Sequence, residues 1–360
     1  MPLTSSTDSR SLLSGKRILI TGSTGFTGSW TSKWLLALGA EILGYSLPPK
    51  NDLNLFTQLN LNTQFENVYS DIRDKNALNK VFRSFDPDLV LHLAAQPLVK
   101  QSYLDPIETF ETNVLGTANV LESAIRHHTK GVLCITTDKV YKDGGNQAFI
   151  ETDPLGGNDP YSASKSAAEM IINSYSKSYD RPLYGTSIAS ARGGNIIGGG
   201  DWSEDRIVPD FVRSIHTHQE LMIRYPYAIR PWQHVLALIQ GYILLLEKLS
   251  VEDSKIDLGS WNFGPDDSSH CTVKELIEKM AENWEMPVVK FEEPSYKETH
   301  QLRLNNAKSK DLLNWKPIWN LDRTIRETIT WYKTFSHSPK SIIDLTDKQI
   351  KTWQKEYPVG

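Results

Sequence analysis

A glycine-rich segment beside a short apolar run limits the fold of this chain more than any other feature. Residues 22–28, Gly-Ser-Thr-Gly-Phe-Thr-Gly, directly follow the apolar run Arg17–Thr21 and precede a helical pattern. Glycines let the backbone turn tightly and approach a pyrophosphate, whose charge the N–H groups of the helix stabilise. The spacing is GxxGxxG and not the commoner GxGxxG, and a surface turn is the alternative. The strand–loop–helix context favours a dinucleotide site.

The chain beyond this segment alternates short apolar runs with helical periodicity, which is typical of βαβ units around a parallel sheet. Residues 88–93 are apolar at most positions, as expected of a strand buried on both faces. We therefore predict an α/β fold with a doubly wound parallel sheet of Rossmann type. The predicted strands are 17–21, 41–46, 88–93, 131–136 and 260–263, and the predicted helices are 27–38, 75–84, about 107–127, 161–179 and 234–248.

The texture of the sequence changes after residue 193, where glycines cluster and loops rich in Trp and Pro begin. We expect a dinucleotide-binding domain over residues 14–193, with a returning segment at about 233–266. A smaller mixed α/β domain for the substrate is expected over residues 194–232 and 267–345.

The composition excludes several classes of protein. The 360 residues carry a net charge of −4, whereas proteins that bind nucleic acids usually carry a basic face. Cys134 and Cys271 are the only cysteines, and no His or Cys group has ligand spacing, so we predict neither a disulfide scaffold nor a metal site. The first dozen residues predict a polar leader. Since no apolar run there has signal-peptide or membrane-spanning length, we expect a cytoplasmic protein.

The segment after the second predicted strand bears on cofactor choice. Dinucleotide folds often place an acid there for the ribose 2′-hydroxyl, but residues 46–51 are Ser-Leu-Pro-Pro-Lys-Asn. Lys50 can accommodate a 2′-phosphate, so this segment leaves NAD and NADP both open. Further on, Asp71 and Ile72 are candidates to flank an adenine, and an N-cap for the helix that begins near Lys75 explains them equally well.

Tyr161 and Lys165 form a YxxxK pair at the start of a predicted helix. Positions i and i+4 share a helix face, so the ammonium can lie near the phenol, lower its pKa and allow Tyr161 to act as a base. Such pairs are common by chance. This pair gains weight because it follows a buried strand that ends in the polar residues Thr137, Asp138 and Lys139.

With these residues the chain resembles the extended short-chain dehydrogenase/reductases, and among them the sugar-nucleotide 4,6-dehydratases. The resemblance runs from residue 15 to about residue 331 and is strongest to the branch that acts on CDP-glucose. Lys139 fits that branch, since many other sugar dehydratases have Glu at this position. The blocks that carry the resemblance are His-Leu-Ala-Ala-Gln-Pro-Leu-Val at 92–99, Asn-Ile-Ile-Gly-Gly-Gly-Asp-Trp at 195–202, Arg-Ile-Val-Pro-Asp at 206–210, Ile-Arg-Pro-Trp-Gln-His-Val at 229–235 and Trp-Asn-Phe-Gly-Pro at 261–265.

The resemblance implies a role for each residue of the predicted catalytic group. Tyr161 takes the proton of the sugar 4-hydroxyl while NAD oxidises C4, and Lys165 holds the phenolate and the nicotinamide ribose. Thr137 hydrogen-bonds the 4-oxygen. Asp138 is the general acid for the departing water, which requires a raised pKa. Lys139 is the candidate base at C5, although a solvated charge at the strand end is the alternative.

The resemblance also implies binding residues and an assembly. The cofactor residues are Gly22, Thr24, Gly25, Phe26, Gly28, Asp71, Ile72 and Ala94, together with the Tyr161–Lys165 pair. The residues expected near the nucleotide sugar are Gln96, Ser102, Asn195, Arg206, Arg230 and Asn262, with turn, strand-end or surface-charge roles as alternatives. A homodimer is implied through the helices around 107–127 and 161–179.

Two other functions compete with a dehydratase. A nucleotide-sugar 4-epimerase of the same fold shares the glycine loop, Tyr161 and Lys165, but needs no acid and base beside the threonine. A non-enzymatic dinucleotide-binding scaffold usually loses one member of the YxxxK pair, and this chain keeps both. A dehydratase for another nucleotide sugar also stays open, because the residues do not identify the base. The implied product, a 4-keto-6-deoxy sugar, serves deoxysugar and polysaccharide biosynthesis.

Overall fold

The central element of the fold is a parallel sheet, seen in a computed structural model that describes residues 11–142, 148–179, 184–251, 258–292 and 303–357. Its seven strands are β1 Arg17–Thr21, β2 Glu41–Ser46, β3 Glu66–Tyr69, β4 Leu89–His92, β5 Gly131–Thr137, β6 Ser187–Gly193 and β7 Ser260–Phe263. They lie in the order β3-β2-β1-β4-β5-β6-β7, and every neighbouring pair is parallel. The strand order reverses between β1 and β4, as in a doubly wound sheet.

Helices cover both faces of this sheet because alternate strand residues are apolar on opposite sides. Ile18 and Ile20 belong to the core cluster on one face, and Leu19 belongs to the cluster on the other. The first face packs on α1 Phe26–Ala37, and the second packs on α2 Lys75–Phe85, α3 Gly116–Arg126 and α4 Pro160–Ser178. A further helix, α5 Val235–Ser250, joins the first face. The predicted doubly wound α/β fold is confirmed.

The helix predicted over about 107–127 is confirmed in its extent, and the structure shows a wider turn within it. The chain forms a short helix at Pro106–Phe110, a wider π-helical turn at Glu111–Leu115, and then α3. Asn113, inside the π turn, exchanges hydrogen bonds with the backbone of Gln96, which accounts for the local departure from α-helical geometry. Apolar periodicity does not reveal a turn that is widened by one buried polar side chain.

The chain after β6 forms small elements beside the carboxyl ends of the strands. Three two-stranded sheets pair Ile196–Ile197 with Gln233–His234, Ile229–Pro231 with His270–Thr272, and Leu221–Ile223 with Val289–Phe291. The remaining helices are Ile207–Thr217, Val273–Glu282, Ala307–Leu313, Leu321–His337 and Ile342–Glu356. Among the described residues, shorter helical segments occur both before and after β6. They are Leu55–Gln58, Leu61–Thr63, Val99–Leu104, Asp138–Val140, Asp267–Ser269 and Pro339–Ser341.

The predicted division into domains stays a prediction, although α5 and β7 do return to the central sheet from the later part of the chain. Parts of the predicted domains, at 143–147, 180–183, 252–257 and 293–302, lie outside the described residues, as does most of the predicted leader. Within the described ranges, the structure has no helix with both the length and the hydropathy that crossing a bilayer requires.

Candidate active site

Two loops meet where the strand order reverses, at the carboxyl ends of β1 and β4. Gly22 has φ +73°, and a Cβ there would lie 2.8 Å from the backbone nitrogen of Ala94. The hydroxyl of Thr21 accepts a hydrogen bond from that same Ala94 nitrogen at 3.2 Å. Ligands of doubly wound sheets bind in the crevice at such a switch point. The predicted cofactor residues Gly22 and Ala94 therefore lie side by side at the expected place.

The glycine loop leaves the N-terminus of α1 open. A Cβ on Gly28 would lie 2.2 Å from the carbonyl oxygen of Gly22, so only glycine allows the helix to lie this close to the loop. Gly25 is the N-cap, and no side chain caps the helix. Thr24 donates its hydroxyl to the carbonyl of Leu47 at 3.0 Å, which ties the loop to the segment after β2. The uncapped N–H groups and the tight backbone fit a pyrophosphate.

Neutral polar groups occupy the tip of β2. Ser46 is buried, and its hydroxyl accepts hydrogen bonds from the hydroxyl of Ser23 and the amide of Asn67, both at 3.2 Å. Ser23 also hydrogen-bonds Asn67 directly. Lys50 is exposed in the following loop. The position that often holds an acid for the ribose therefore presents hydroxyl and amide groups.

Asp71 and Ile72 lie in the connection between β3 and α2. The carboxylate of Asp71 pairs with Arg73 at 2.7 Å, and this hydrogen bonding lowers the pKa of Asp71. The N-cap of α2 is Asp74, which accepts two backbone N–H bonds, so the capping alternative for Asp71 does not hold. Ile72 is buried against Gly116 of α3, where a Cβ would lie 2.7 Å from it. Contact of the pair with an adenine stays a prediction.

The predicted catalytic residues converge at the end of β5. The hydroxyl of Thr137 donates to Oδ1 of Asp138 at 3.0 Å, and both residues act on the pKa of the Tyr161 phenol. All three side chains are at least nine-tenths buried. Lys139, the next residue, is half-buried and electrostatically coupled to Asp138. The structure thus brings the strand-end residues and the first residue of the YxxxK pair into one site.

Burial governs the charge of these groups. It raises the pKa of Asp138, an effect that nearby Lys139 and Arg230 only partly oppose. It raises the pKa of Tyr161 to about 12 and lowers the pKa of Lys165 to about 8. The ammonium of Lys165 donates to the carbonyl of Ile135 at 3.2 Å. Lys165 is not among the groups that chiefly set the pKa of the Tyr161 phenol here, and its action on the phenol stays a prediction.

Local signals place Tyr161 at the start of α4. Asp159 caps the helix by accepting from the backbone nitrogen of Ser162 at 2.9 Å, and Pro160 occupies the first turn. The hydroxyl of Ser102 accepts from the backbone nitrogen of Tyr161 at 3.2 Å and donates to the carbonyl of Val99 at 2.7 Å. Ser102 is fully buried and its two bonds tie the start of α4 to Val99, so the structure gives no support to the expected approach of Ser102 to the sugar.

Two more predicted substrate residues are engaged by the protein. Gln96 donates to the hydroxyl of Thr109 and accepts from the backbone nitrogen of Leu98, so its amide folds back onto its own loop. Asn262 is fully buried and accepts from the hydroxyl of Tyr141 at 2.7 Å, while its Nδ2 donates to a backbone carbonyl at 2.9 Å. The structure does not support a direct nucleotide contact by Asn262, because both polar atoms of its side chain already have partners.

The other predicted substrate residues form a wall of the site near Tyr161 and Asp138. Arg206 pairs with Asp201 at 3.3 Å, and its charge acts on the pKa of Tyr161. Arg230 is buried, and its charge acts on Asp138. A Cβ on Gly194 would lie 3.3 Å from Oδ2 of Asp138, which places the partly exposed Asn195 close by in the chain. This wall offers positive charge beside the catalytic group.

Sequence reasoning missed a second layer of polar residues. Asn113 donates to the hydroxyl of Ser164 at 2.9 Å, and Ser164 donates to the carbonyl of Tyr161 at 2.7 Å. Glu169 and Arg192 form a buried ion pair at 2.8 Å. One signal was available, because Glu169 follows Lys165 by four residues and so continues the face of α4 that begins at Tyr161.

Two curated proteins are similar to this chain in sequence. A relative in Salmonella typhimurium, "CDP-glucose 4,6-dehydratase", is 41% identical over 340 residues, 91% of this chain and 94% of that protein. A "UDP-glucose 4-epimerase" of Halalkalibacterium halodurans is 26% identical over 89% of this chain and 96% of that protein. Both comparisons cover nearly the whole length of both proteins.

Solved structures extend the comparison. The UDP-glucose 4-epimerase of Thermus thermophilus in complex with NAD is 26% identical, with a TM-score of 0.76, over 88% of this chain and 99% of that one. The UDP-glucose 4-epimerase of Thermotoga maritima with UDP-glucose, 23% identical over 89% of this chain and 99% of that one, has a TM-score of 0.78 and shares the fold. The family model for GDP-mannose 4,6 dehydratase matches residues 19–328, and this chain therefore belongs to the GDP-mannose 4,6 dehydratase family.

Proposed function

We propose that this chain is an NAD-dependent 4,6-dehydratase that converts CDP-glucose to CDP-4-keto-6-deoxyglucose with loss of water. One observation carries the proposal: buried Asp138, with its raised pKa, lies beside Lys139, accepts a hydrogen bond from Thr137 and acts on the pKa of Tyr161 in the same site. An epimerase needs a base for the 4-hydroxyl but no acid and base for an elimination. The 41% identity to the Salmonella CDP-glucose 4,6-dehydratase supports CDP-glucose as the substrate.

Tyr161 is the proposed base for the 4-hydroxyl. With a pKa of about 12 it holds its proton at neutral pH in this structure. NAD, when bound, would accept a hydride from C4 and return it to C6, and its positively charged ring would favour the phenolate. Lys165, on the same face of α4, supplies a second positive charge to this part of the site. Thr137 is proposed to hydrogen-bond the 4-oxygen.

Asp138 and Lys139 are the proposed acid and base of the elimination. A ketone at C4 acidifies the hydrogen on C5, which Lys139 removes as a proton and returns to C5 when the hydride is added to C6. Asp138 protonates the 6-hydroxyl, which leaves as water. An acid in this role has to keep its proton near neutral pH, and burial raises the pKa of Asp138 in the required direction.

The glycine loop and the positive wall are the proposed binding surfaces. Gly22, Gly25 and Gly28 provide the close backbone approach and open helix N-terminus that suit the diphosphate of NAD. Thr24, Phe26, Asp71, Ile72 and Ala94 complete the proposed cofactor site. Arg206 and Arg230, with Asn195, are proposed to hold the nucleotide diphosphate of the sugar, because guanidinium groups bind phosphate oxygens in bidentate fashion.

The test is product analysis with matched substrates. The purified protein is incubated with NAD and either CDP-glucose, UDP-glucose, dTDP-glucose or GDP-mannose, and products are identified by mass spectrometry and NMR. We expect a 4-keto-6-deoxy product, lighter by one water, from CDP-glucose and much less from the others. A hexose isomer of unchanged mass would instead support the 4-epimerase. Preference for another nucleotide would correct the substrate alone.

The active unit is proposed to be a homodimer in the cytoplasm. Large apolar side chains on the helices between β4 and β5 and on α4 are more than half exposed, as a helix face that packs on a second copy requires. They are Leu104, Ile107, Leu115 and Met170. The cytoplasmic location is supported by Cys134 and Cys271, which are both free and buried, as expected of a compartment that keeps thiols reduced.

A further inference from the structure

A buried ion pair lies behind the catalytic group. Glu169 on α4 and Arg192 on β6 are 1% and 3% exposed, and Nη2 of the arginine lies 2.8 Å from Oε2 of the carboxylate. Glu169 lies on the face of α4 that also carries Tyr161 and Lys165. Removing two charges from water costs free energy, so we looked for a function that this buried ion pair serves beside the site.

The carboxylate of Glu169 connects α4 to three strands. Oε1 accepts from the hydroxyl of Thr136 on β5 at 2.5 Å, and Oε2 accepts from Ser190 on β6 at 3.0 Å and from Ser260 on β7 at 3.2 Å. Thr136 immediately precedes Thr137 in the chain. The bond from Thr136 therefore joins the helix of the YxxxK pair to the strand end that carries Asp138.

Arg192 secures the other side of the same strand end. Its Nη1 donates to the hydroxyl of Tyr141 at 2.8 Å and to the carbonyl of Glu151 at 3.0 Å. Tyr141 follows the short helical turn Asp138–Val140 and also donates to Asn262 at 2.7 Å. The segment between Thr136 and Tyr141 is thus held at both ends by one ion pair.

We propose that Glu169 and Arg192 are positioning residues that fix Thr137, Asp138 and Lys139 relative to Tyr161 and Lys165. The inference rests on the proposed function and deepens it, because a 4,6-dehydratase has to oxidise C4 from one side and eliminate across C5 and C6 from the other. The ion pair bonds Thr136 and Tyr141, which flank residues 137–139, and its carboxylate belongs to the helix of the YxxxK pair. A misplacement of about 1 Å can reduce a rate on the order of 100-fold.

A variant that keeps the ion pair and removes one hydroxyl tests this role most cleanly. Glu169→Gln would leave the guanidinium of Arg192 buried without a counter-charge and endanger folding. Thr136→Val keeps the shape of the side chain and removes the hydroxyl that bonds Glu169 at 2.5 Å and, more weakly, the carbonyl of Ala191 at 3.4 Å. Ser190→Ala is the matched control, since it removes a bond to the same carboxylate at a strand position remote from Asp138. Thr136→Ser restores the hydroxyl and is the rescue variant.

Two measurements read out the position of the strand end. Amide hydrogen exchange in the protein without substrate should be faster over residues 137–141 in Thr136→Val than in the wild type, Ser190→Ala or Thr136→Ser. With CDP-glucose, Thr136→Val should lower kcat at least tenfold with little change in KM. It should also raise the steady-state fraction of reduced nicotinamide, because elimination slows relative to oxidation.

Equal exchange in Thr136→Val and Ser190→Ala would overturn the proposal, and so would an equal loss of kcat in these two variants. A fully active, folded Thr136→Val with the wild-type fraction of reduced nicotinamide would also overturn it. If the wild type forms no 4-keto-6-deoxy product, the proposed function fails, and the exchange comparison alone then decides whether the ion pair positions the strand end.

Discussion

The hydroxyl of Thr137 donates a 3.0 Å hydrogen bond to Oδ1 of Asp138, and both side chains are buried at the carboxyl end of the sheet. Both residues also act on the pKa of the Tyr161 phenol. The proposed base for the 4-hydroxyl and the proposed acid for the departing water therefore belong to one buried site. Substitutions of these two groups should affect different steps of one reaction.

Tyr161→Phe should abolish turnover while the protein remains folded. The lost proton acceptor is expected to lower kcat on the order of 10²–10⁴-fold. Tyr242→Phe is the matched control, because Tyr242 is fully buried and its hydroxyl has no hydrogen-bond partner among the described residues. Activity assays and circular dichroism of both variants check this. Wild-type kcat in Tyr161→Phe would refute the proposed base.

Asp138→Asn should stop dehydration without preventing oxidation at C4. The amide keeps the shape of the side chain but has no proton to give, so we expect product formation to fall on the order of 10²–10⁴-fold and reduced nicotinamide to accumulate. In the wild type, kcat should fall as pH rises through the raised pKa of Asp138, since the acid form is then lost. Product formation by Asp138→Asn at the wild-type rate would exclude this residue as the acid.

The raised pKa of Asp138 also predicts how stability changes with pH. The folded state holds this proton more tightly than the unfolded state, so the contribution to stability is complete below the unfolded pKa of about 3.9 and is lost as pH rises through the folded pKa. Relative to Asp138→Asn, the wild-type free energy of unfolding should therefore decline over that window. Denaturant unfolding of the two proteins across acidic and neutral pH measures the difference. A constant difference would mean that the pKa of Asp138 is not raised.

Lys165 predicts an alkaline limit to activity. Because burial lowers its pKa to about 8, the ammonium is lost as pH rises through that value, and kcat/KM of the wild type should fall there. Lys165→Arg should move this limb to higher pH, since a guanidinium stays charged. Lys177→Met, at an exposed position of the same helix, is the control and should leave the profile unchanged. An unmoved limb in Lys165→Arg would assign the titration to another group.

His92 predicts sensitivity to acid. Its two ring nitrogens hydrogen-bond the hydroxyls of Thr21 at 2.7 Å and Thr117 at 3.0 Å, and burial lowers its pKa to about 3. The unfolded state binds the proton more readily, so the free energy of unfolding should fall by about 1.4 kcal/mol per pH unit as pH drops from about 6.5 toward 3. His92→Gln should reduce this slope, and the exposed control His337→Gln should not.

The proposed dimer predicts a clear effect of one surface charge. Ile107 is 67% exposed, and Ile107→Asp would bury a carboxylate in the proposed interface. We expect the variant to elute as a monomer in size-exclusion chromatography with light scattering, whereas the wild type elutes as a dimer. Val288→Asp, at an equally exposed apolar position elsewhere, is the control and should stay dimeric. A wild-type monomer would contradict the proposal.

Local patterns predicted most of the sheet and the loop at its switch point. Residues 88–93 predicted a buried strand because they are apolar at most positions, and β4 forms there. The roles of Gly22 and Gly28 could be predicted from the GxxGxxG spacing, because a tight turn between a strand and a helix requires residues without a Cβ at these positions. The π turn at Asn113 could not, since its cause is a contact with Gln96 from another part of the chain.

The direction of polar side chains was the part that sequence left open. Family resemblance placed Ser102 and Asn262 near the substrate, but both are fully buried and bonded to protein groups. Conversely, Glu169 and Arg192 belong to different elements, and no sequence pattern predicts that they form an ion pair. Hydrogen-bond partners depend on which elements pack together, and that is settled by the whole fold.

The amino-acid sequence by itself determined the kind of fold, the place of the glycine loop and the residue types available for proton transfer, because backbone geometry and apolar periodicity are local properties. Only the tertiary structure decided which of these groups are buried together. Burial by segments that are distant in the chain raises the pKa of Asp138 and lowers that of Lys165.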